Sequence, residues 1–125
     1  VCGAHLEGLP LHWQLSDRGA HLVSRGKTAD CYRMYVIPKG GGLPARPALI
    51  RDEGGGAAID VEVWSLGEAE FGSFVAGIPG PLGIGKVKLE DGTEVPGFIA
   101  EPRAADGAEE ITSFGGWKAW MAGSG

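Results

Sequence analysis

A chain of 125 residues, 43% apolar and 22% charged, suits one globular domain around one core and is too apolar to be disordered. The net charge is −5, and the 11 lysines and arginines are scattered without forming a run. That excludes the basic face that nucleic acid requires, and the lack of any stretch of about eighteen apolar residues excludes a membrane-spanning helix.

Residues 1–4 read as the end of a strand that enters a glycine-flanked turn. Residues 11–18 read as helical, since Leu11 and Leu15 share a face, and Gly19 stands where a C-terminal cap belongs. Residues 21–23 and 32–36 are expected strands, followed by a loose loop at 39–42 and an extended stretch set by Pro44 and Pro47. A short strand is expected at 48–50 and a turn at 51–56.

Residues 57–64 alternate, with Ile59, Val61 and Val63 on one side and Asp60, Glu62 and Trp64 on the other. Ser65 and Glu68 have the spacing of a capping box, which predicts a short helix with Ala69, Phe71, Phe74 and Val75 on its apolar side. Residues 86–90 and 94–101 are a hairpin about Asp91-Gly92, a pair suited to a type I′ turn, with Pro96 and Gly97 marking a bulge or an edge. Residues 111–121 predict a short helix carrying Trp117 and Trp120, and residues 123–125 a flexible tail.

With 23 glycines and eight prolines, turns are frequent and strands short. The fold class predicted is α+β: a small, mostly antiparallel, partly closed β-barrel with two or three flanking short helices. Cys2 and Cys31 are too few for a disulfide framework and read as reduced thiols of a cytoplasmic protein. The start at Val1 reads as a trimmed chain or as a piece of a longer polypeptide.

Four features carry chemistry. The turn at Gly3-Ala4-His5-Leu6 exposes backbone N–H groups that can hold a carboxylate or phosphate, or it is a plain strand-to-helix turn. His5 in that turn titrates near neutral pH and can pass a proton, or it is a structural histidine. Glu62, on a strand of Val and Ile, is either an acid with a raised pKa in an apolar barrel mouth or a solvent-facing side chain. Arg33, Arg46 and Arg51 are equivalent candidates for a carboxylate clamp. His12 and His21 have no ligand spacing with His5, so no metal is expected, and no dinucleotide or phosphate-loop fingerprint calls for a cofactor.

Eight blocks in order resemble the C-terminal domain of allophanate hydrolase, as it occurs in urea amidolyase. They are GAHLEGLPLHWQL (3–15), YRMY (32–35), RPALIR (46–51), VEVW (61–64), FGSFV (71–75), IPGPLGIG (78–85), VKLEDG (87–92) and ITSFGGW (111–117). The resemblance implies a γ-glutamylcyclotransferase-like fold spanning residues 1–122. In that wider superfamily a Tyr-Gly-Ser-type loop cradles substrate, and Cys2-Gly3-Ala4-His5 stands in its place. The superfamily's catalytic glutamate falls near Ala76-Gly77, where no carboxylate stands, so cyclotransferase activity is expected to be absent.

The resemblance implies instead a decarboxylation: N-carboxycarbamate, produced by an amidase domain or partner protein, goes to ammonia and carbon dioxide. His5 and Glu62 are then the catalytic candidates, and Gly3, Ala4, Leu6, Arg33, Tyr35 and Pro81 the substrate-binding ones. The competing expectations are a non-catalytic module for docking or homodimerisation, motivated by Trp13, Trp64, Trp117 and Trp120, and a stand-alone relative that binds small carboxylates.

Overall fold

The six strands of the computed structural model, which describes residues 1–124 (side chains through 123), pair two by two, all antiparallel. β1 (His21–Lys27) pairs with β4 (Asp60–Ser65), β2 (Tyr32–Ile37) with β3 (Arg46–Arg51), and β5 (Leu82–Lys88) with β6 (Glu94–Ala100). Three helices flank them: α1 (Trp13–Ser16), α2 (Glu68–Ala76) and α3 (Trp117–Ser124). Short 3-10 turns lie at Pro102–Ala105 and Thr112–Phe114.

The antiparallel pairing and the helices are as expected, but the strands do not close into a barrel. The pairs meet at corners instead: the bridge Thr28↔Leu89 joins the end of β1 to the β5–β6 hairpin, and Tyr32↔Ala57 joins β2 to the approach to β4. Single bridges of this kind let each pair twist independently where a continuous ladder would force closure.

β2 alternates cleanly, with Tyr32, Met34 and Val36 buried and Arg33, Tyr35 and Ile37 half-exposed. Its inner face meets Leu49, Ile59, Ile111 and Trp117 in the core. Each such side chain contributes on the order of 1.5–3 kcal/mol by leaving water. Polar groups along this face are paired: Lys88 N–H donates to Tyr32 Oη at 2.8 Å, and Thr112 Oγ1 accepts Met34 N–H at 3.0 Å.

Several local expectations changed. Residues 1–4 are not a strand, although Val1 exchanges backbone hydrogen bonds with Glu62 (2.8 and 2.9 Å) and so covers β4. That cover explains why Val61 and Glu62, neighbours on one strand, are both buried. The capping box does not form: Ser65 ends β4, Gly67 is the N-cap of α2, and the N-terminus meets Glu68 and Glu70 without a side-chain cap bond.

The Asp91-Gly92 turn is not type I′, because Asp91 keeps a negative φ and only Gly92 is positive, at 90°. Gly92 N–H donates to Leu89 O and Leu89 N–H to Thr93 O, the pattern of a three-residue hairpin loop with a glycine bulge. The unbroken register Lys86↔Pro96 and Gly85↔Gly97 shows no bulge at Pro96; β6 pairs with β5 alone and is an edge strand, the other of the two readings. Of the tail expected at 123–125, residues 123 and 124 belong to α3, and Gly125 lies outside the described residues.

Candidate functional site

The first turn, α1, the end of α2, β3 and β6 converge on His5. Its Nε2–H donates to Gln14 Oε1 of α1 at 2.7 Å. An amide oxygen only accepts, so the bond assigns the ring proton to Nε2 and leaves Nδ1 as the basic nitrogen. The ring stacks on Phe98 of β6 (centroids 5.0 Å, planes 21° apart) and meets Phe74 of α2 edge-on (5.3 Å, 73°). Two aromatic walls and one amide thus fix the imidazole plane.

His12 fixes the turn from behind. Its Nδ1–H donates to His5 O at 2.8 Å while its ring lies against Trp64, 4.8 Å between centroids. Burial pulls the His5 pKa below its ordinary value. Gln14 opposes that, whereas the amino group of Val1, His12 and Arg46 reinforce it. His5 is therefore held in its neutral form near pH 7.

A cavity of about 40 Å³ opens beside it, lined by His5, Gln14, Arg46, Pro79 and Phe98 among others and by no Asp or Glu. Arg46 is 9% exposed, and its Nε has no hydrogen-bond partner. Arg33, by contrast, is half-exposed and committed to Asp52 (2.7 Å) and Glu110 (2.9 Å) on the outer face of β2–β3. Arg51 is held by Glu53 and Glu94. Of the three arginines that sequence could not rank, the structure puts Arg46 beside His5 and the other two in ion pairs.

Glu62 is 5% exposed, yet its pKa is lowered, the opposite of the rise expected for an acid in an apolar mouth. Burial is the largest single influence and does push it up. It is outweighed by the N–H of Glu7 (2.9 Å), the indole N–H of Trp64 (3.1 Å), and the charges of Lys118 and Arg25. The carboxylate stays ionised and ties the first turn to β4.

The predicted N–H cradle is largely spoken for. Leu6 N–H donates to Gly3 O at 2.9 Å, and Glu7 N–H already holds an anion, the Glu62 carboxylate. Gly3, Ala4 and Leu6 are buried. Gly3 is required sterically, because a Cβ there would stand 2.2 Å from Pro47 Cδ. Tyr35 is half-buried in β2 opposite Ala48, and Pro81 follows a cis bond from Gly80 and accepts Glu101 N–H, next to the Pro79 wall. Gln14, Phe74 and Phe98 were not singled out as site residues; only tertiary packing brings positions 5, 14, 74 and 98 together.

A second, more apolar cavity of about 80 Å³ lies under the same turn, between Cys2, Glu62, Trp64, Phe71, Phe74 and the β5–β6 hairpin. Among the described residues no group of His, Cys, Asp and Glu could hold a metal ion, and no helix is long and apolar enough to cross a membrane.

Comparison with known proteins matches residues 1–122 to the family model "Allophanate hydrolase C-terminal domain". The chain is 42% identical over 124 residues to the urea amidolyase of Saccharomyces cerevisiae, covering 97% of this chain and 7% of that protein. It superimposes on Kluyveromyces lactis allophanate hydrolase with a TM-score of 0.92 at 43% identity, covering 99% of this chain and 21% of that one. It also superimposes on c4763, a uropathogenic E. coli-specific protein, with a TM-score of 0.87 at 35% identity, covering 97% of this chain and 91% of that one. The chain thus spans about 7% of the curated relatives it matches, and nearly all of the E. coli protein.

Proposed function

The chain belongs to the allophanate hydrolase C-terminal domain family, and from that premise we propose that it decarboxylates N-carboxycarbamate in urea and allophanate breakdown. We take residues 1–122 as the working unit, with a γ-glutamylcyclotransferase-like fold and a cytoplasmic setting. It would act on material supplied by an amidase domain of the same polypeptide or by a partner protein.

In the reaction the C–N bond breaks, its electron pair stays on nitrogen, and carbon dioxide leaves. One proton delivered to that nitrogen makes carbamate, which loses its own carbon dioxide in the same way to give ammonia. The single observation that carries this reading is His5: a half-buried imidazole with a free Nδ1, oriented by Gln14 and two phenylalanines on the wall of a small basic cavity. A positioned general acid contributes roughly 10²–10⁴-fold. Glu62 acts as a positioning residue, holding the turn that carries His5.

The test is release of carbon dioxide from N-carboxycarbamate generated in situ by a separate amidase. The wild-type domain is expected to accelerate release and His5→Ala to abolish the acceleration. Equal rates with both proteins would rule out the role of His5.

The docking reading is supported by Trp13, 55% exposed, and by exposed Leu22 and Val23 on β1. Trp117 contributes nothing to it, being buried in the core, and Trp120 packs against the same core. A concentration-independent monomer in sedimentation would remove the homodimer version.

A further inference from the structure

An arginine buried without a partner is expensive. Desolvating a guanidinium is repaid only by an anion or by several acceptors, and isolated buried charges are rare for that reason. Arg46 carries that cost at Nε: the residue is 9% exposed, its Nε is buried without a hydrogen bond, and no ion pair to it is found among the described residues. The only influence on its own pKa is burial, which lowers it. The Arg46 side chain lines the 40 Å³ cavity that His5 also lines, and no carboxylate of the protein reaches in.

We propose that Arg46 is a carboxylate clamp, binding one carboxylate group of a small organic acid in the cavity beside His5. The fork of N–H donors on guanidinium matches the two oxygens of a planar carboxylate, and charge-assisted pairs of this kind are the strong ones. The cavity has room for only a few heavy atoms, so a carboxylate head enters and the rest of the acid extends toward the Pro79 and Phe98 walls. Leu11, Leu43, Ile78 and Leu82 make the remaining lining apolar, which strengthens the pair by excluding water.

Binding is linked to a proton. The charged or titratable groups facing His5 are Arg46 from β3, His12 from the first turn and the amino group of Val1; Gln14, Phe74 and Phe98 close the other sides without charge. A bound carboxylate is the first negative charge in this set. It favours imidazolium, so the donor becomes charged when the acid is present. This deepens the decarboxylation reading and rests on it for the identity of the acid, though not for the clamp.

The experiment is calorimetric titration of the 125-residue chain with malonate, acetate and inorganic phosphate. Malonate is expected to bind at millimolar concentration or tighter, and more tightly at pH 6 than at pH 8. Arg46→Gln should weaken it by at least about tenfold, as expected for loss of a charged hydrogen-bond donor, while Arg33→Gln leaves it unchanged. Because Arg46→Gln could also disturb folding, the wild-type ¹H–¹⁵N signal of Arg46 Nε is followed in parallel and should shift on saturation with malonate.

An unmoved Arg46 signal, equal malonate affinity in Arg46→Gln, or tighter binding of phosphate than of malonate would each overturn the clamp. Malonate binding through Arg46 with no acceleration of carbon dioxide release would leave the clamp standing and remove the decarboxylation. Acceleration without malonate binding would do the reverse.

Discussion

At the scale of single residues, the site depends on close approaches as much as on functional groups. Gly3 lies against the ring of Pro47, and the turn that presents His5 starts there. A methyl group at position 3 would stand 2.2 Å from Pro47 Cδ, so either the turn or β3 must shift. Gly3→Ala is expected to cost about 1–3 kcal/mol in urea unfolding, the range of overpacked sites. It should also weaken malonate binding, since β3 carries Arg46. Unchanged stability would mean that the turn slides freely over Pro47.

Residue chemistry was only partly legible from sequence. His5 could be named from its place in a glycine-flanked turn. Arg46 could not be preferred to Arg33 or Arg51, because what distinguishes them is the position of acids far along the chain. Arg33 meets Glu110, 77 residues away, and Arg51 meets Glu94, 43 residues away.

At the scale of elements, residues 32–36 read as the strand that is β2, alternation identified the body of β4, and the Asp91-Gly92 pair identified the hairpin. The turn type was missed because the choice between type I′ and a glycine bulge is set by how the flanking strands twist, not by the dipeptide. Gly92 has φ 90° and nothing within 4 Å of its missing Cβ, so its requirement is conformational. Gly92→Ala is expected to destabilise by about 1–2 kcal/mol in thermal or urea unfolding, with no effect on malonate affinity. Asp91 should stay important beside it, since its Oδ1 accepts both Thr93 N–H (3.0 Å) and Thr93 Oγ1–H (2.7 Å).

At the scale of the whole molecule, His5 and Glu62 shape stability against acid in two stages. His5 is lowered in the folded state by burial, so the unfolded chain takes up that proton first. Stability therefore falls as pH drops from about 6.5 toward the folded-state value. Glu62 is lowered too, although burial alone would raise it; its stabilisation is present above about 4.3 and lost as pH falls through its folded value. Thermal unfolding from pH 8 to pH 3 should show both declines. His5→Gln flattens the upper one, and Glu62→Gln flattens the lower one while reducing stability at neutral pH. A profile of Glu62→Gln parallel to wild type below pH 5 would mean that Glu62 is not held as an anion.

The sequence by itself determined the antiparallel short-strand character and the family, because these follow from alternation, turn signals and ordered local blocks. Tertiary structure alone decided that the strands form three separate pairs and that Glu62 is an anchor whose negative charge fills the first turn. It also decided that Arg46 is the arginine left unpaired at His5. Pairing, burial and the field on a titratable group depend on neighbours distant in the chain, as with Glu7 and Glu62, 55 residues apart, and no local pattern records them.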